Sequence, residues 1–165
     1  MTPALRLLEA MLFAAAEPLP LHVMSAALGE DAALVLDALR ARYAGGGVVL
    51  VQIAGGWALR TAPDLAPALT RVVPQSRRLP RAAMEALAVI AYHQPATRAE
   101  IEAVRGVSVA QSSIDMLLEL GLIATAGRRE APARPALWVT TPGFLTHFSL
   151  HSLADLPPRS ELAQP

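Results

Sequence analysis

The chain has 165 residues, 53% of them hydrophobic and 4% aromatic, with 14 basic residues balanced by 14 acidic ones. That length holds one ordinary domain or two small ones, and so aliphatic a composition favours helices packed through small side chains over a sandwich of strands. Zero net charge leaves no overall field to gather nucleic acid or an anionic membrane. Every basic residue is arginine and there is no cysteine, which excludes lysine Schiff-base chemistry, the Walker-loop lysine, disulfides and thiolate metal sites or nucleophiles.

The first predicted element is a helix over 4–16, within LRLLEAMLFAAAEP. Arg6 ahead of an apolar stretch slightly resembles a secretion signal, but Glu9 interrupts it, so it reads as a helix of the folded domain, ending before Pro18. Leu5, Leu8 and Leu12 stand at heptad spacing and predict a self-association face; the same spacing also suits plain core. A second helix is predicted at about 20–28, closed by Gly29, and a third from about 31. Two strand-like runs follow, GVVLVQIA and WALRTA, with Gly45–Gly47 and Gly55–Gly56 as turn residues. VPQSRRLP, 73–80, has two prolines and no apolar period, and reads as a linker.

The second half repeats this order at a spacing of 77 residues, which places Leu12 on Val89, Pro18 on Pro95, Met24 on Ile101 and Gly29 on Gly106. Its helices are predicted at 81–93, at 97–105 with Thr97 as N-cap and Glu100 at the capping-box position, and from about 109. GLIATAG and PALWVTT supply its strands, and DLPPRSELAQP reads as a loosely ordered tail. The expected fold is mainly α with small β-wings, in two tandem winged-helix domains. Their bounds are 1–72 and 81–150, with a linker at 73–80 and a tail at 151–165. No apolar run approaches the roughly 18 residues of a membrane span, so a soluble protein with no membrane partner is expected.

A winged helix invites a DNA-binding transcriptional regulator as one reading. The third helices are poor credentials for it: VAQSSIDMLLELG carries Asp115 and Glu119 and no basic residue, and DAALVLDALRARY has Arg40 and Arg42 only near its end. On the second of these helices in chain order, Ile114, Leu117 and Leu118 share one face, while Val109, Ser113, Met116 and Leu120 lie roughly opposite. That second face predicts a protein interface, unless the wing and first helix bury both sides. Arg128, Arg129 and Arg134 on the predicted wing suit directional hydrogen bonds to a partner, with Trp138 as an anchor or a core residue. Arg98 and Arg105 in TRAEIEAVRG are candidates for partner or intradomain hydrogen bonds, and Arg98 is spaced to pair with Glu102. His147 and His151 stand four apart, but neither a third nearby ligand nor a nucleophile elbow accompanies them, so no metal, cofactor or catalytic group is assigned.

Several stretches together resemble one family: EAMLFAAAEPL, AGGWALRTAPDLAPAL, EALAVIAYHQPATRAEIEAVRGV, LLELGLI, GRREAPARP and TTPGFLTHFSLHSLADLPP. The chain looks like segregation and condensation protein B, the winged-helix accessory subunit of bacterial SMC condensin. The resemblance implies a non-enzymatic, cytoplasmic and nucleoid-associated protein. It also implies dimerisation through the first winged helix and a grip on the kleisin subunit, segregation and condensation protein A, chiefly through the second. SMC would be reached indirectly, and so would DNA.

Overall fold

The computed structural model describes residues 2–69 and 78–158. Residues 73–77 of the predicted linker and 159–165 of the predicted tail lie outside them. Among the described residues, those up to 69 form one compact unit together with 149–158, and 78–148 form the other. The second unit therefore ends at Phe148, not at the predicted residue 150, and residues 149–158 belong to the first.

The first unit runs α1 (Pro3–Ala14), α2 (Leu21–Leu28), α3 (Ala32–Tyr43), β1 (Val48–Ile53), β2 (Gly56–Thr61) and, after a 3-10 turn at Pro63–Leu65, the short α4 (Ala66–Leu69). Thr2 and Asp31 cap α1 and α3, their side chains accepting from the Leu5 and Ala33 amides at 3.2 and 2.9 Å. The period-3.6 spacing of α1 and α3 turns Leu8, Leu12, Leu36 and Leu39 inward around Met24, with Leu50 closing the core from β1. The Tyr43 hydroxyl donates to the Glu9 carboxylate at 2.7 Å and ties α3 to α1; that bond to a carboxylate raises the phenol's pKa.

The second unit repeats the order with α5 (Arg81–His93), α6 (Arg98–Arg105), α7 (Gln111–Glu119), β3 (Ile123–Arg128), β4 (Ala136–Thr140) and α8 (Pro142–His147). Both units are winged helices, mostly helical with one antiparallel strand pair each. The short α4 and α8 are additions to the predicted elements. Each wing is also fastened to its helices by a one-residue bridge: Leu19 and Trp57 exchange backbone hydrogen bonds at 2.8 Å, and Ala96 and Trp138 do so at 3.1 and 2.8 Å. Leu19 and Ala96 are themselves 77 residues apart, so the repeat extends to this third, vestigial strand. Gly56 lies so close to the chain at Pro18 that a Cβ there would meet backbone atoms at 2.8 Å.

Helix α2 ends at Gly29 and α6 at Gly106, both left-handed, with φ of 71° and 73°. At the start of α6 the capping box is complete: the Thr97 hydroxyl accepts from the Glu100 amide and the Glu100 carboxylate accepts from the Thr97 amide at 2.8 Å. The remaining charged side chains of α6 hold the loop that follows it. Glu102 accepts from the Val109 amide at 2.9 Å and from Arg98 Nε at 3.2 Å, while Arg98 also donates to the Val109 carbonyl and to Gln111 Oε1. Arg105, its side chain buried, donates to the Ser108 carbonyl at 3.1 Å and pairs with Glu85 of α5 at 2.9 Å. Hydrogen bonds lower the pKa of all three glutamates: from Arg81, at 2.8 Å, and then Arg105 for Glu85, from Thr97 for Glu100, and from the Val109 amide and then Arg98 for Glu102.

Three outcomes follow from this packing. Thr97→Ala should destabilise the second unit by about 1 kcal/mol in urea unfolding, the usual loss of a helix cap. Gly56→Ala, which forces backbone against backbone, should destabilise the first unit by about 1–3 kcal/mol in the same assay. Because the native pKa values of the three glutamates lie below the ordinary value of about 4.3, their stabilisation is present above that pH and lost as pH falls through the native values. The stability difference between Trp57→Phe chains with and without Glu102→Gln, in which Trp138 is the sole tryptophan and its fluorescence reports the second unit, should therefore be largest near neutrality and shrink as the pH drops below about 4.

Candidate partner-binding surfaces

Helix α7 buries Ser113, Ile114 and Leu117 in the second unit's core. Its other side presents Met116, half-buried, and just past its end Leu120, 54% exposed. Leu79 and Pro80 before α5 and His147 at the end of α8 line the same groove, about 490 Å³ in volume, with Arg78 and Glu119 contributing charge of both signs. His147 packs edge-on against Phe148 at 4.8 Å, and Phe148 lies on the buried Phe144 at 5.0 Å, which fixes that wall. An apolar floor edged by opposite charges is suited to an amphipathic polypeptide segment.

Met116 and Leu120 are thus brought together, but the third member of the predicted stripe is not with them. Val109 precedes α7 and is 1% exposed, drawn into the core by the bonds that Glu102 and Arg98 make to its backbone. It is a core residue and not an interface one. Leu118, expected on the core face, is part-exposed, and Ser113, expected on the opposite face, is buried: at about 100° per residue Ser113, Leu117 and Ile114 share one arc and Leu118 lies at its margin. Arg98 and Arg105 serve the intradomain alternative: Arg98 donates to Glu102, Gln111 and Val109, and Arg105 donates to Ser108 and Glu85 while its Nε is buried without a partner.

The wing holds its arginines in three ways. Arg129 pairs with Glu100 at 3.0 Å, and Arg128 donates to the Arg134 carbonyl at 3.0 Å across the hairpin end. Arg134 sits at φ 40° in a turn that leaves its side chain exposed. Trp138 is half-buried, and its backbone makes the bridge to Ala96.

In the first unit, Leu8 and Leu12 are 0% and 4% exposed and belong to the core, so the predicted self-association face cannot include them. The heptad spacing marks the side of α1 that meets α2 and α3, where burial stabilises the unit itself. Leu5 lies at the edge of that core and lines a groove of about 660 Å³ with Leu7, Leu28, Val35 and Leu34, the last 74% exposed. Leu7 lies off the heptad positions of α1 and so outside the predicted face; Leu34 carried no signal, because in AALVL nothing distinguishes an inward from an outward leucine.

The family model for segregation and condensation complex subunit ScpB matches residues 6–159. The segregation and condensation protein B of Symbiobacterium thermophilum is 46% identical over 92% of this chain and 72% of its own, and that of Desulforamulus reducens 43% identical over 93% and 88%. Among solved structures, a ScpB N-terminal domain crystallised as a dimer with a ScpA peptide is 32% identical. It covers 43% of this chain and 95% of that chain, with a TM-score of 0.40. A family match across nearly the whole chain, joined by relatives above 40% identity, establishes that the chain belongs to the ScpB family of segregation and condensation complex subunits.

Proposed function

We propose that the protein is a non-enzymatic adaptor of an SMC–kleisin complex acting in chromosome condensation and segregation, and that it works by presenting apolar surfaces to other polypeptides. Family membership supports the complex. The observation that carries the adaptor reading is the outward side of α7, where Met116 and Leu120 meet Leu79 and Pro80 in a groove beside Glu119 and His147. In this reading the groove receives a kleisin segment, and Arg128, Arg129, Arg134 and Trp138 of the second unit's wing are further contacts to that partner. The face of Leu5, Leu7 and Leu34 on the first unit receives a second copy of the chain, giving a homodimer.

The DNA-regulator reading fares worse on the residues that would read a groove. Helix α7 carries Asp115, hydrogen-bonded to Gln111 at 2.8 Å, and no basic side chain. In α3, Arg40 lies over the Trp57 ring at 4.9 Å and Arg42 sits 3.9 Å from Glu9, so both arginines are engaged within the unit. Acidic or engaged third helices oppose phosphate binding.

Co-purification with a kleisin fragment tests the adaptor reading, beside a DNA shift assay at physiological salt. The wild-type chain should retain kleisin and leave DNA unshifted. Met116→Asp combined with Leu120→Asp should weaken kleisin binding by about 30-fold or more, the scale of losing a central apolar anchor, with the far-ultraviolet circular dichroism unchanged. Light scattering at micromolar concentration should show a dimer, and Leu34→Asp, on a side chain that the core does not use, should shift it toward monomer.

A further inference from the structure

Residues 149–158 follow the second unit in the chain yet pack with the first, so the second unit is inserted between two segments of the first. Immediately after the end of α8, Ser149 adopts φ 55° and turns the chain. The Leu150 carbonyl then accepts the Ala54 amide at 2.9 Å. Ala54 and Gly55, at φ 50° and 76°, form the two-residue turn between β1 and β2. The ladder closes at the pair Ile53–Gly56, and the acceptor for the Ala54 donor comes from the returning segment.

The segment is itself folded for this contact. The Asp155 carboxylate accepts the His151 and Ser152 amides at 2.8 and 2.9 Å, and the Ser152 side chain accepts the Ala154 amide at 3.3 Å. These bonds shape a 3-10 turn at Leu153–Asp155 and leave Leu150 and Leu156 half-buried. A self-capped turn loses less conformational freedom on docking than an unshaped tail of equal length. Held by a backbone hydrogen bond and half-buried leucines and not by a fully buried helix face, it can open while the rest of the unit stays folded.

We propose that residues 149–156 are a detachable clasp on the wing of the first unit, and that its opening converts a two-point tether of the second unit, one linker and one docked segment, into a one-point tether. Docked, the second unit is held to the first at both of its chain ends. Undocked, only the connection at its N-terminal end remains, and the Ala54 amide is released at the hairpin tip. This device acts on the freedom of the second unit whether or not the kleisin reading holds.

Amide hydrogen exchange on the full chain, read by NMR, tests it. In the wild-type protein the Ala54 amide should be protected. In Leu150→Asp/Leu156→Asp, and in a chain ending at Ser149, it should exchange about tenfold faster or more, while the amides of the β1–β2 ladder keep their wild-type rates. An Ala54 amide that exchanges freely in the wild-type chain, or at the same rate in both variants, would overturn the docking. Equal acceleration of the ladder amides would overturn detachability, because the segment would then be part of the core.

Discussion

The loop between Gly106 and Ala110 is the constraint on which the second unit depends. Its backbone is gripped from one side by α6: Glu102 and Arg98 hold Val109 by both its amide and its carbonyl, and Arg105 holds the Ser108 carbonyl. With the backbone polar groups satisfied, the Val109 side chain can enter the core at no cost in orphaned donors. The position of Val109 in turn sets where α7 begins, and the start of α7 decides that Ile114 and Leu117 face inward while Met116 and Leu120 face out. A charge-rich helix with no chemistry of its own thus determines the phase of the surface that a partner would meet.

Ion pairs in water-exposed positions stabilise a fold little, and several of those on α6 are of that kind. Their contribution here is geometric. The exception is Arg105, whose buried guanidinium joins α6 to Glu85 on α5. Removing Glu85 would leave that buried guanidinium without its counter-charge, whereas Glu85, 40% exposed and also paired with Arg81, would keep a partner if Arg105 were lost.

The two units use one plan for different surfaces. Each buries its first helix against two others and fastens its wing through a backbone bridge at Trp57 or Trp138. What remains outside differs: α1 and α3 leave Leu7 and Leu34 beside the half-buried Leu5, whereas α7 leaves Met116 and Leu120 next to the segment that enters α5. Neither unit offers the row of free cations on its third helix that reading a duplex demands. An old DNA-reading architecture can therefore carry protein contacts simply by changing which side chains are left over after the core has closed.

The local elements were legible in the sequence because their signals are local: Pro18 and Pro95 ending the first helices, Thr97 with Glu100 starting another, glycines 29 and 106 closing the second ones, and alternating runs forming the wings. So was the repeat at a spacing of 77 residues, whereas its bridge residues Leu19 and Ala96 emerged only in the fold. The short α4 and α8 escaped because they are too brief to show a period. Which apolar side chains were core and which were surface was decided only by tertiary packing. Leu8 and Leu12 went inside and Leu34 stayed out; Val109 was drawn in by bonds to its backbone from residues up to eleven positions away. The return of residues 149–158 to the first unit was equally invisible, since a carbonyl and an amide nearly a hundred residues apart, Leu150 and Ala54, leave no mark in composition or spacing. Sequence periodicity reports that a face is apolar; only the three-dimensional neighbours determine whether that face is already covered.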